Sequence, residues 1–270
     1  MTDQFNLKNK VIVVTGATGV LGKSFVKAIS NSGGIVGVMG RNQAVAEERV
    51  AEIIGDGGEA IALIADVTNE EQLVEAKSKL LAKYGKVDGL VNAAGGNMPG
   101  GILQPEADIF GMSMAGMKEV MDLNVWGTLL PTQIFGVEIA KHKGSIVNIS
   151  SMSSQQAITK VLGYSMAKAA IDCYTRWFSV ELAKRYGDKL RMNAIAPGFF
   201  LTEQNRTLLT KEDGSYTDRG NLVLNNTPFN RFGAPEELTG CLVWLLSEAS
   251  SFVSGTTINI DGGFSIYSGV

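Results

Sequence analysis

Tyr164 and Lys168 are the two residues of this chain whose types and spacing most directly suggest chemistry. They stand four positions apart in Y-S-M-A-K, so a helix would place both side chains on one face. A free tyrosine has a pKa of about 10, so only about one in a thousand is ionised near neutral pH. A neighbouring cation favours the phenolate and makes the residue usable as a general acid and base. Such a pair also arises by chance, and its interpretation therefore depends on what surrounds it.

Ser150 and Ser151 supply hydroxyls that could hold a substrate oxygen. Both follow the apolar run in G-S-I-V-N-I-S-S-M, which predicts a buried strand that ends just before them. Two other predicted strands end in L-V-N-A-A-G-G and R-M-N-A-I-A-P-G. In a parallel sheet, ligands bind beyond the carboxyl ends of the strands. The sequence therefore predicts that these strand ends form one site.

A glycine-rich turn predicts a phosphate-binding loop at the same edge. The first predicted strand leads directly into T-G-A-T-G-V-L-G, followed by a helix. Glycines permit a tight turn and a close approach to a pyrophosphate resting on the helix N-terminus. The spacing of Gly16, Gly19 and Gly22 differs from the common G-x-G-x-x-G, and a turn without a ligand is the alternative. The strand–turn–helix setting favours a dinucleotide.

The end of the second predicted strand bears on which dinucleotide binds. A unit that binds NAD commonly places an acid there, against the ribose 2′-hydroxyl. Here the strand ends in V-M-G-R-N, and the first carboxylate after it is Glu47. Arg41 suits a 2′-phosphate instead, which favours NADP over NAD. The alternative is that Arg41 is a solvated residue at the start of the second helix.

Alternating strands and helices must position these groups. Strands are predicted at 10–15, 35–39, 60–64, 89–91, 145–149, 191–194 and 256–260. Helices are predicted at 21–32, 43–54, 70–84, 117–141, 164–186 and 235–246. Continuously apolar strands between helices indicate a parallel sheet covered on both faces. We predict an α/β fold: one Rossmann-type, doubly wound domain over 1–270, with about seven strands, helices on both faces and a substrate lid at 199–232.

Composition excludes several classes of function. The net charge of −3 gives no basic footprint for nucleic acid, and no apolar run reaches membrane-spanning length. The single histidine, His142, has lysines on both sides and predicts a solvated helix end, so we expect no metal site. Cys173 and Cys241 fall in helical patterns and are expected to be reduced residues of the core or of an interface. With no signal peptide evident, we expect a cytoplasmic protein.

The motifs together resemble those of the short-chain dehydrogenase/reductase family, over residues 6–267. The family's T-G-x-x-x-G-x-G maps onto the string from Thr15 to Gly22, with Gly16 and Gly22 kept. Val20 stands where the family has its middle glycine, with Gly19 beside it. Its N-N-A-G, P-G-x-x-x-T and D-G-G motifs match N-A-A-G, P-G-F-F-L-T and D-G-G in this protein.

The resemblance implies an oxidoreductase with the catalytic set Asn124, Ser151, Tyr164 and Lys168. The family serine lies thirteen residues before the tyrosine, which selects Ser151 over Ser150. Tyr164 would be the acid and base. Lys168 would hold the nicotinamide ribose and lower the tyrosine pKa, and Asn124 would hold a kinked helix and a proton-relay water. The implied cofactor contacts are Gly16, Thr18, Gly19, Leu21, Gly22, Arg41, Asp66, Val67, Asn92, Ala93, Gly95, Tyr164, Lys168, Pro197, Gly198 and Thr202.

The resemblance also bears on the substrate and the assembly. The polar segment after the sixth strand suggests a hydroxylated, anionic substrate, although its acids balance its bases and it could simply be solvated. Strings such as A-P-G-F-F-L-T-E-Q-N-R-T-L-L-T resemble a narrower branch, the D-mannonate oxidoreductases of the short-chain type, which interconvert D-mannonate and D-fructuronate. A uronate carboxylate would then meet Arg206, Lys160 or Lys211, with Asn97 nearby. Packing of the helix at 164–186, usual in the family, implies a homotetramer.

Other functions remain open on the sequence. Branches acting on gluconate or on 3-oxoacyl thioesters share the same core motifs. A dinucleotide-sensing regulator without turnover belongs to a different class. The intact catalytic set argues against a sensor, because a sensor needs no proton donor.

Overall fold

Seven strands form one parallel sheet in the computed structural model, which describes residues 4–104, 106–201, 206 and 208–269. The sheet order is β3-β2-β1-β4-β5-β6-β7, and every neighbouring pair is parallel. The strands are β1 Val11–Thr15, β2 Ile35–Gly40, β3 Glu59–Ile64, β4 Gly89–Asn92, β5 Gly144–Ile149, β6 Leu190–Pro197 and β7 Thr257–Ile260. The predicted α/β, Rossmann-type fold is confirmed, and the strand order reverses between β1 and β4, where such sheets bind ligands.

Helices cover both faces because the strands are apolar on both sides. The helices are α1 Val20–Asn31, α2 Gln43–Gly55, α3 Glu70–Tyr84, α4 Met114–Met121, α5 Gly127–Ile139, α6 Leu162–Tyr186, α7 Asp218–Asn225 and α8 Thr239–Leu246. Alternate residues of β1 face opposite ways: Ile12 and Val14 pack under α1, α2 and α8, and Val11 and Val13 pack under α3, α5 and α6. Within the described ranges, no helix is both long and apolar enough to cross a membrane.

The register of the sheet aligns the strand ends that carry the motifs. Thr15 of β1 pairs with Asn92 of β4, and Asn92 pairs with Asn148 of β5. Ile149, just before the two serines, pairs with Ile195 of β6. The phosphate loop, the turn after β4 and the serines after β5 therefore leave the sheet at one edge, as the sequence predicts.

The prediction of one continuous helix over 117–141 is wrong in the middle of that range. The structure has α4 and α5 there, joined by the π-helical turn Asp122–Trp126. The turn leaves the Asn124 side chain free to bond outside its own helix, to the backbone of Gly96. A second difference lies at 235–246, where Pro235–Leu238 form a 3₁₀ turn before α8.

The structure shows how far the two cysteines and the histidine are buried. Cys173 is exposed, because α6 turns its neighbours Ile171 and Asp172 inward and Cys173 outward. The core alternative for Cys173 is therefore wrong. Cys241 is partly buried, and burial raises the pKa of its thiol to about 11. His142 lies on the surface just after α5, as predicted.

A substitution at Gly116 tests the close contact between α4 and the backbone of the segment after β4. A Cβ at this position would lie 2.0 Å from the carbonyl oxygen of Gly100, which is backbone and cannot swing away. We expect Gly116→Ala to lower the free energy of unfolding by about 1–3 kcal/mol, the usual cost of overpacking. Gly240→Ala is the control, since nothing lies within 4 Å of the place that its Cβ would take and helical alanine is favoured by about 0.5–1 kcal/mol. Equal urea midpoints for the two variants would contradict this account.

Candidate active site

The loop between β1 and α1 has the form of a phosphate cradle. Gly16 adopts φ +66°, and a Cβ there would lie 2.8 Å from the backbone of Ala94. A Cβ on Gly22 would lie 2.2 Å from the Gly16 carbonyl oxygen. Gly19 precedes α1 without a side-chain cap, and the first helical turn contains no acid. The backbone N–H groups at this end are therefore left for an anionic ligand, which fits a pyrophosphate.

A cleft of about 430 Å³ runs from this loop along the sheet edge. Most of the predicted cofactor residues line it: Gly16, Thr18, Gly19, Leu21, Gly22, Arg41, Asp66, Val67, Ala93 and Gly95. Pro197 and Gly198 line the adjoining cavity together with Tyr164. Thr202 lies outside the described residues. The cleft is long, open and continuous with the phosphate loop, so it fits a dinucleotide.

The Asn92 side chain does not reach the cleft. Its side chain is buried and donates hydrogen bonds to Thr132 Oγ1 and Asn148 Oδ1, each at 2.9 Å. Its side chain therefore ties β4 to α5 and β5, and a contact between Asn92 and the cofactor, proposed for the backbone of this motif, stays a prediction. Thr15 has a positioning role that the sequence did not suggest: its hydroxyl accepts hydrogen bonds from the backbone N–H groups of Ala93 and Ala94, each at 3.1 Å.

Arg41 and Asp66 line the cleft just after the ends of β2 and β3. Arg41 Nη1 lies 3.6 Å from Asp66 Oδ2, and the arginine side chain is 77% exposed. Burial raises the pKa of Asp66, but hydrogen bonds from Thr68 and the Arg41 cation outweigh it and hold the pKa below its usual value. Asp66 is the one acid among the described residues of the cleft wall. No carboxylate at the end of β2 competes with Arg41 for a ribose substituent.

Tyr164, Ser151 and Lys168 meet where β5 ends against α6. Ser151 and Tyr164 line the same cavity, and hydrogen bonding by the Ser151 side chain acts to lower the pKa of Tyr164. The Ser151 hydroxyl also accepts from the N–H and the hydroxyl of Ser153, at 3.2 and 3.0 Å. Lys168 Nζ donates to the Ile149 carbonyl at 2.7 Å and lies 5.4 Å from the Tyr164 ring centroid. The Ser150 hydroxyl turns instead toward the Lys168 carbonyl, at 3.4 Å. The geometry therefore selects Ser151 over Ser150 as the partner of Tyr164.

Burial sets the protonation of this group in the protein alone. Burial raises the pKa of Tyr164 above its ordinary value, with the Ser151 hydrogen bond opposing that rise. Burial lowers the pKa of Lys168 to about 8, with the nearby Asp172 charge opposing that fall. In the protein without its cofactor, burial outweighs the hydrogen bond from Ser151, so the Tyr164 pKa is raised even though the Lys168 ammonium lies 5.4 Å from the ring centroid. A further positive charge near the phenol is needed to favour the phenolate.

Asn124 holds the segment that follows β4. Its Nδ2 donates to the carbonyls of Gly96 and Val120, each at 2.8 Å, and its Oδ1 accepts from the Gly96 N–H at 3.0 Å. Asn124 is fully buried. The side chain therefore fixes the Gly96 backbone, which lines both the cleft and the adjoining cavity, to the π-helical turn.

The cavity beside Tyr164 has a volume of about 420 Å³ and largely apolar walls. Its polar side chains include Ser151, Tyr164, Asn97 and Arg219, and Arg219 is the one charged residue among the described wall residues. Asn97, predicted as a substrate contact, also borders the cofactor cleft. Arg219 Nη1 lies 3.4 Å from Thr159 Oγ1 at the rim. The arrangement can bind a carbonyl compound at Tyr164 and an anionic group at Arg219.

The three predicted carboxylate-binding residues are exposed and do not line this cavity. Arg206 and Lys211 are exposed in the segment after β6, and Lys160 is exposed with φ +74°. Arg219 instead lies in the first turn of α7, whose N-terminus is capped by the hydroxyl of Thr217. Nothing in the local sequence distinguishes Arg219 from the other bases, since its direction depends on how α7 packs. In the described part of the protein, no group of His, Cys, Asp and Glu is placed to hold a metal ion.

Comparison with known proteins identifies the family. A family model described as enoyl-(acyl carrier protein) reductase matches residues 16–265. This chain belongs to the short-chain dehydrogenase/reductase family. The uncharacterized oxidoreductase UxuB of Bacillus subtilis (strain 168) is 42% identical over 275 residues, covering 98% of each chain.

Two solved structures of this family add ligand information. A Haemophilus influenzae protein, described as a candidate D-mannonate oxidoreductase with bound NAD, is 40% identical, with a TM-score of 0.91 over 98% of both chains. A gluconate 5-dehydrogenase of Burkholderia cenocepacia J2315, in complex with NADP and tartrate, is 29% identical, with a TM-score of 0.85 over 97% of this chain and 98% of the other. The protein is thus an oxidoreductase of hydroxyl and carbonyl groups that uses a nicotinamide dinucleotide.

The two serines allow a direct test of the catalytic geometry. We expect Ser151→Ala to reduce kcat by about 10²-fold or more, because the hydroxyl that bonds Tyr164 is lost. Ser150→Ala should keep most of the activity, because its hydroxyl makes only a long bond to a backbone carbonyl. Steady-state kinetics would measure both, with Tyr164→Phe as the inactive reference. A larger loss in Ser150→Ala than in Ser151→Ala would contradict the register of the β5 end.

Proposed function

We propose that this enzyme transfers a hydride between a nicotinamide dinucleotide and a sugar acid, with D-fructuronate and D-mannonate as the first pair to test. The observation that carries the proposal is Arg219, the one cation among the described wall residues of a cavity that also contains Ser151 and Tyr164. A hexuronate has a carbonyl group for Tyr164 and a carboxylate for an arginine. The likeness to the candidate D-mannonate oxidoreductase and to a gluconate dehydrogenase supports the same substrate class.

The proposed mechanism gives each catalytic side chain one task. When bound, the nicotinamide supplies or accepts the hydride. Tyr164 donates its proton to the carbonyl oxygen in reduction and takes it back in oxidation, and Ser151 donates a hydrogen bond to that oxygen. Lys168 would hold the nicotinamide ribose and add positive charge beside the phenol. Asn124 fixes the Gly96 backbone and would hold a water through which the proton returns to solvent.

The cofactor is held by backbone more than by side chains in this proposal. The glycines of the phosphate loop bring N–H groups to the pyrophosphate. Asp66 would accept a hydrogen bond from the adenine amine, and Ala93 and Gly95, which line the same cleft, would lie against the ribose. Pro197, Gly198 and Thr202 would contact the nicotinamide amide. Arg41 would meet a 2′-phosphate, so we propose NADP as the preferred cofactor, although a similar protein binds NAD.

The segment 199–232 is proposed as the substrate lid of a single domain. It has a small apolar cluster of its own, in which Leu209, Val223, Leu224 and Phe232 are buried. Leu208, Leu209 and Arg219 from this segment contribute to the cavity wall. A lid with its own packing can close as a unit and exclude water from the reaction.

The surface of α5 and α6 supports the proposed homotetramer. Val137, Trp177 and Val180 are each more than half exposed on these two helices. Apolar side chains grouped in this way favour association with another copy of the protein. We also propose a cytoplasmic location, because free cysteines such as Cys173 and Cys241 are typical of a reducing compartment.

A second candidate substrate class is favoured by the apolar walls of the cavity. Ile102, Ile158, Val161 and Phe199 leave much of its surface without hydrogen-bonding groups. A 3-oxoacyl group would use these walls better than a polyhydroxylated acid does. The effect of substituting Arg219 on kcat/KM distinguishes sugar acids from 3-oxoacyl substrates.

Arg219→Ala is the decisive variant for the sugar-acid proposal. An arginine–carboxylate hydrogen bond contributes about 1.5–3 kcal/mol, so we expect kcat/KM for fructuronate to fall about 10- to 150-fold. Turnover of a neutral ketose should change little, because it presents no carboxylate. Arg219→Lys should restore part of the activity on the acid.

Matched controls keep the result specific. Lys160→Ala and Lys211→Ala remove exposed bases outside the cavity wall and should leave kcat/KM for the acid within about twofold. Equal losses on the acid and on the neutral ketose would mean that Arg219 only shapes the cavity. Better turnover of a 3-oxoacyl thioester than of any hexuronate, unaffected by Arg219→Ala, would favour the second candidate.

Arg41→Ala tests the cofactor preference. We expect the Kd for NADP to rise about 5- to 15-fold, or about 1–1.5 kcal/mol, which is the low end for a charge-assisted contact because Arg41 is 77% exposed. The Kd for NAD should stay within about twofold, since Arg41 has no phosphate to bind there. Titration calorimetry would measure both constants. Equal weakening of both cofactors would show that Arg41 acts through its ion pair with Asp66 rather than on the ribose.

A further inference from the structure

Asp172 is a buried carboxylate that the proposed mechanism does not use. It lies on α6, one helical turn after Lys168, and is 5% exposed. Lys168 is 4% exposed, so both charges are removed from bulk water. An unpaired buried carboxylate is costly, and its presence on the helix that carries Tyr164 and Lys168 requires a physical reason.

The contacts of Asp172 connect it to the turn that carries Ser151. The Ser154 hydroxyl lies 2.5 Å from Asp172 Oδ2 and 2.7 Å from the Ser151 carbonyl oxygen. The Thr257 hydroxyl of β7 donates to Asp172 Oδ1 at 3.3 Å. Asp172 therefore joins α6 to the 3₁₀ turn Met152–Ser154 on one side and to β7 on the other. A shift of this carboxylate would move the turn from which the Ser151 hydroxyl projects.

Asp172 also acts on the charge of Lys168. Burial lowers the pKa of that lysine to about 8, and the negative charge of Asp172 raises it. Tyr164, on the same helix, is the other titratable group beside the lysine. The remaining charged residues on the elements packed against α6 are Lys118, Glu119, Asp122, Arg191, Asp188 and Lys189. Of the charged residues in the described ranges, Asp172 is the one whose charge is assigned an effect on the Lys168 pKa.

We propose that Asp172 is a positioning residue for the reaction: one turn along α6, its buried carboxylate balances the charge of the buried Lys168 and, through Ser154, holds the turn that carries Ser151. The proposal rests on the roles proposed above for Ser151 and Lys168, but not on the identity of the substrate. Its two parts make different predictions. The charge of Asp172 acts on the lysine, whereas its hydrogen bonds act on the serine turn.

The first experiment measures stability without cofactor or substrate. The unfolded protein binds the Lys168 proton up to a pKa of 10.5 and the folded protein only up to about 8, so this group makes wild-type stability rise between pH 8 and 10.5. Without the Asp172 charge the folded pKa falls further, and the rise begins at lower pH. The Tm gap between wild type and Asp172→Asn should therefore be largest near pH 6.5, at about 3–6 °C, and should shrink as pH rises through 8 toward 9.5.

Two variants serve as controls for this measurement. Asp172→Glu keeps the charge and should keep the pH dependence of the wild type, even if it is less stable overall. Glu119→Gln removes an exposed carboxylate from the neighbouring α4 and should leave the Tm gap small and constant with pH. A Tm gap for Asp172→Asn that is the same at all pH values would overturn the charge role and leave only packing.

The second experiment measures the pH dependence of kcat/KM and the value of kcat, with any carbonyl substrate that the enzyme reduces. In Asp172→Asn the alkaline limb of kcat/KM should move to lower pH by about one unit, because Lys168 loses its proton earlier. In Ser154→Ala the limb should stay in place while kcat falls about 10-fold, because only the serine turn is loosened. An unmoved limb in Asp172→Asn, or wild-type kcat in Ser154→Ala, would overturn the corresponding part. If no sugar acid is turned over but the limb shifts with another carbonyl compound, the proposed substrate fails and the role of Asp172 stands.

Discussion

The parallel hydrogen-bonded ladder through β1, β4, β5 and β6 brings four strand ends to one edge of the sheet. The phosphate loop, the turn after β4, the catalytic serine and the Pro197-Gly198 step all start from that edge. A slip of one residue in any of these pairs would turn every side chain of that strand to the opposite face. Such a slip is disfavoured because the side chains of these strands fill close-packed spaces of particular size against both layers of helices.

A buried polar network fixes the angle between this sheet and the helix that carries Tyr164. Asn92 of β4 bonds Asn148 of β5, and Asn148 donates to Thr175 of α6 at 3.0 Å. All three residues are buried. These hydrogen bonds are costly to leave unmade, so they favour one position of α6 on the sheet. In that position Tyr164 lies near the hydroxyl of Ser151.

Desolvation gives the catalytic group its chemical character. Burial disfavours the phenolate of Tyr164 and the ammonium of Lys168 at the same time, because both charged forms lose hydration. Asp172 opposes this effect for the lysine but lies too deep to be a proton donor to substrate. The neutral phenol that results is the form needed to protonate a carbonyl oxygen.

Local patterns in the sequence determined the fold class, the strand positions to within a few residues, the glycine loop and, through resemblance, the meeting of Tyr164, Ser151 and Lys168. These features depend on short-range periodicity and on motifs whose geometry is local. Only the tertiary structure decided that Asn92 turns inward, that a π-helical turn frees Asn124, and that Arg219 rather than Arg206, Lys160 or Lys211 lines the cavity. It also decided that burial raises the pKa of Tyr164. The physical reason is that the orientation of a loop residue and the hydration of a buried charge depend on contacts between segments far apart in the sequence, which no local pattern contains.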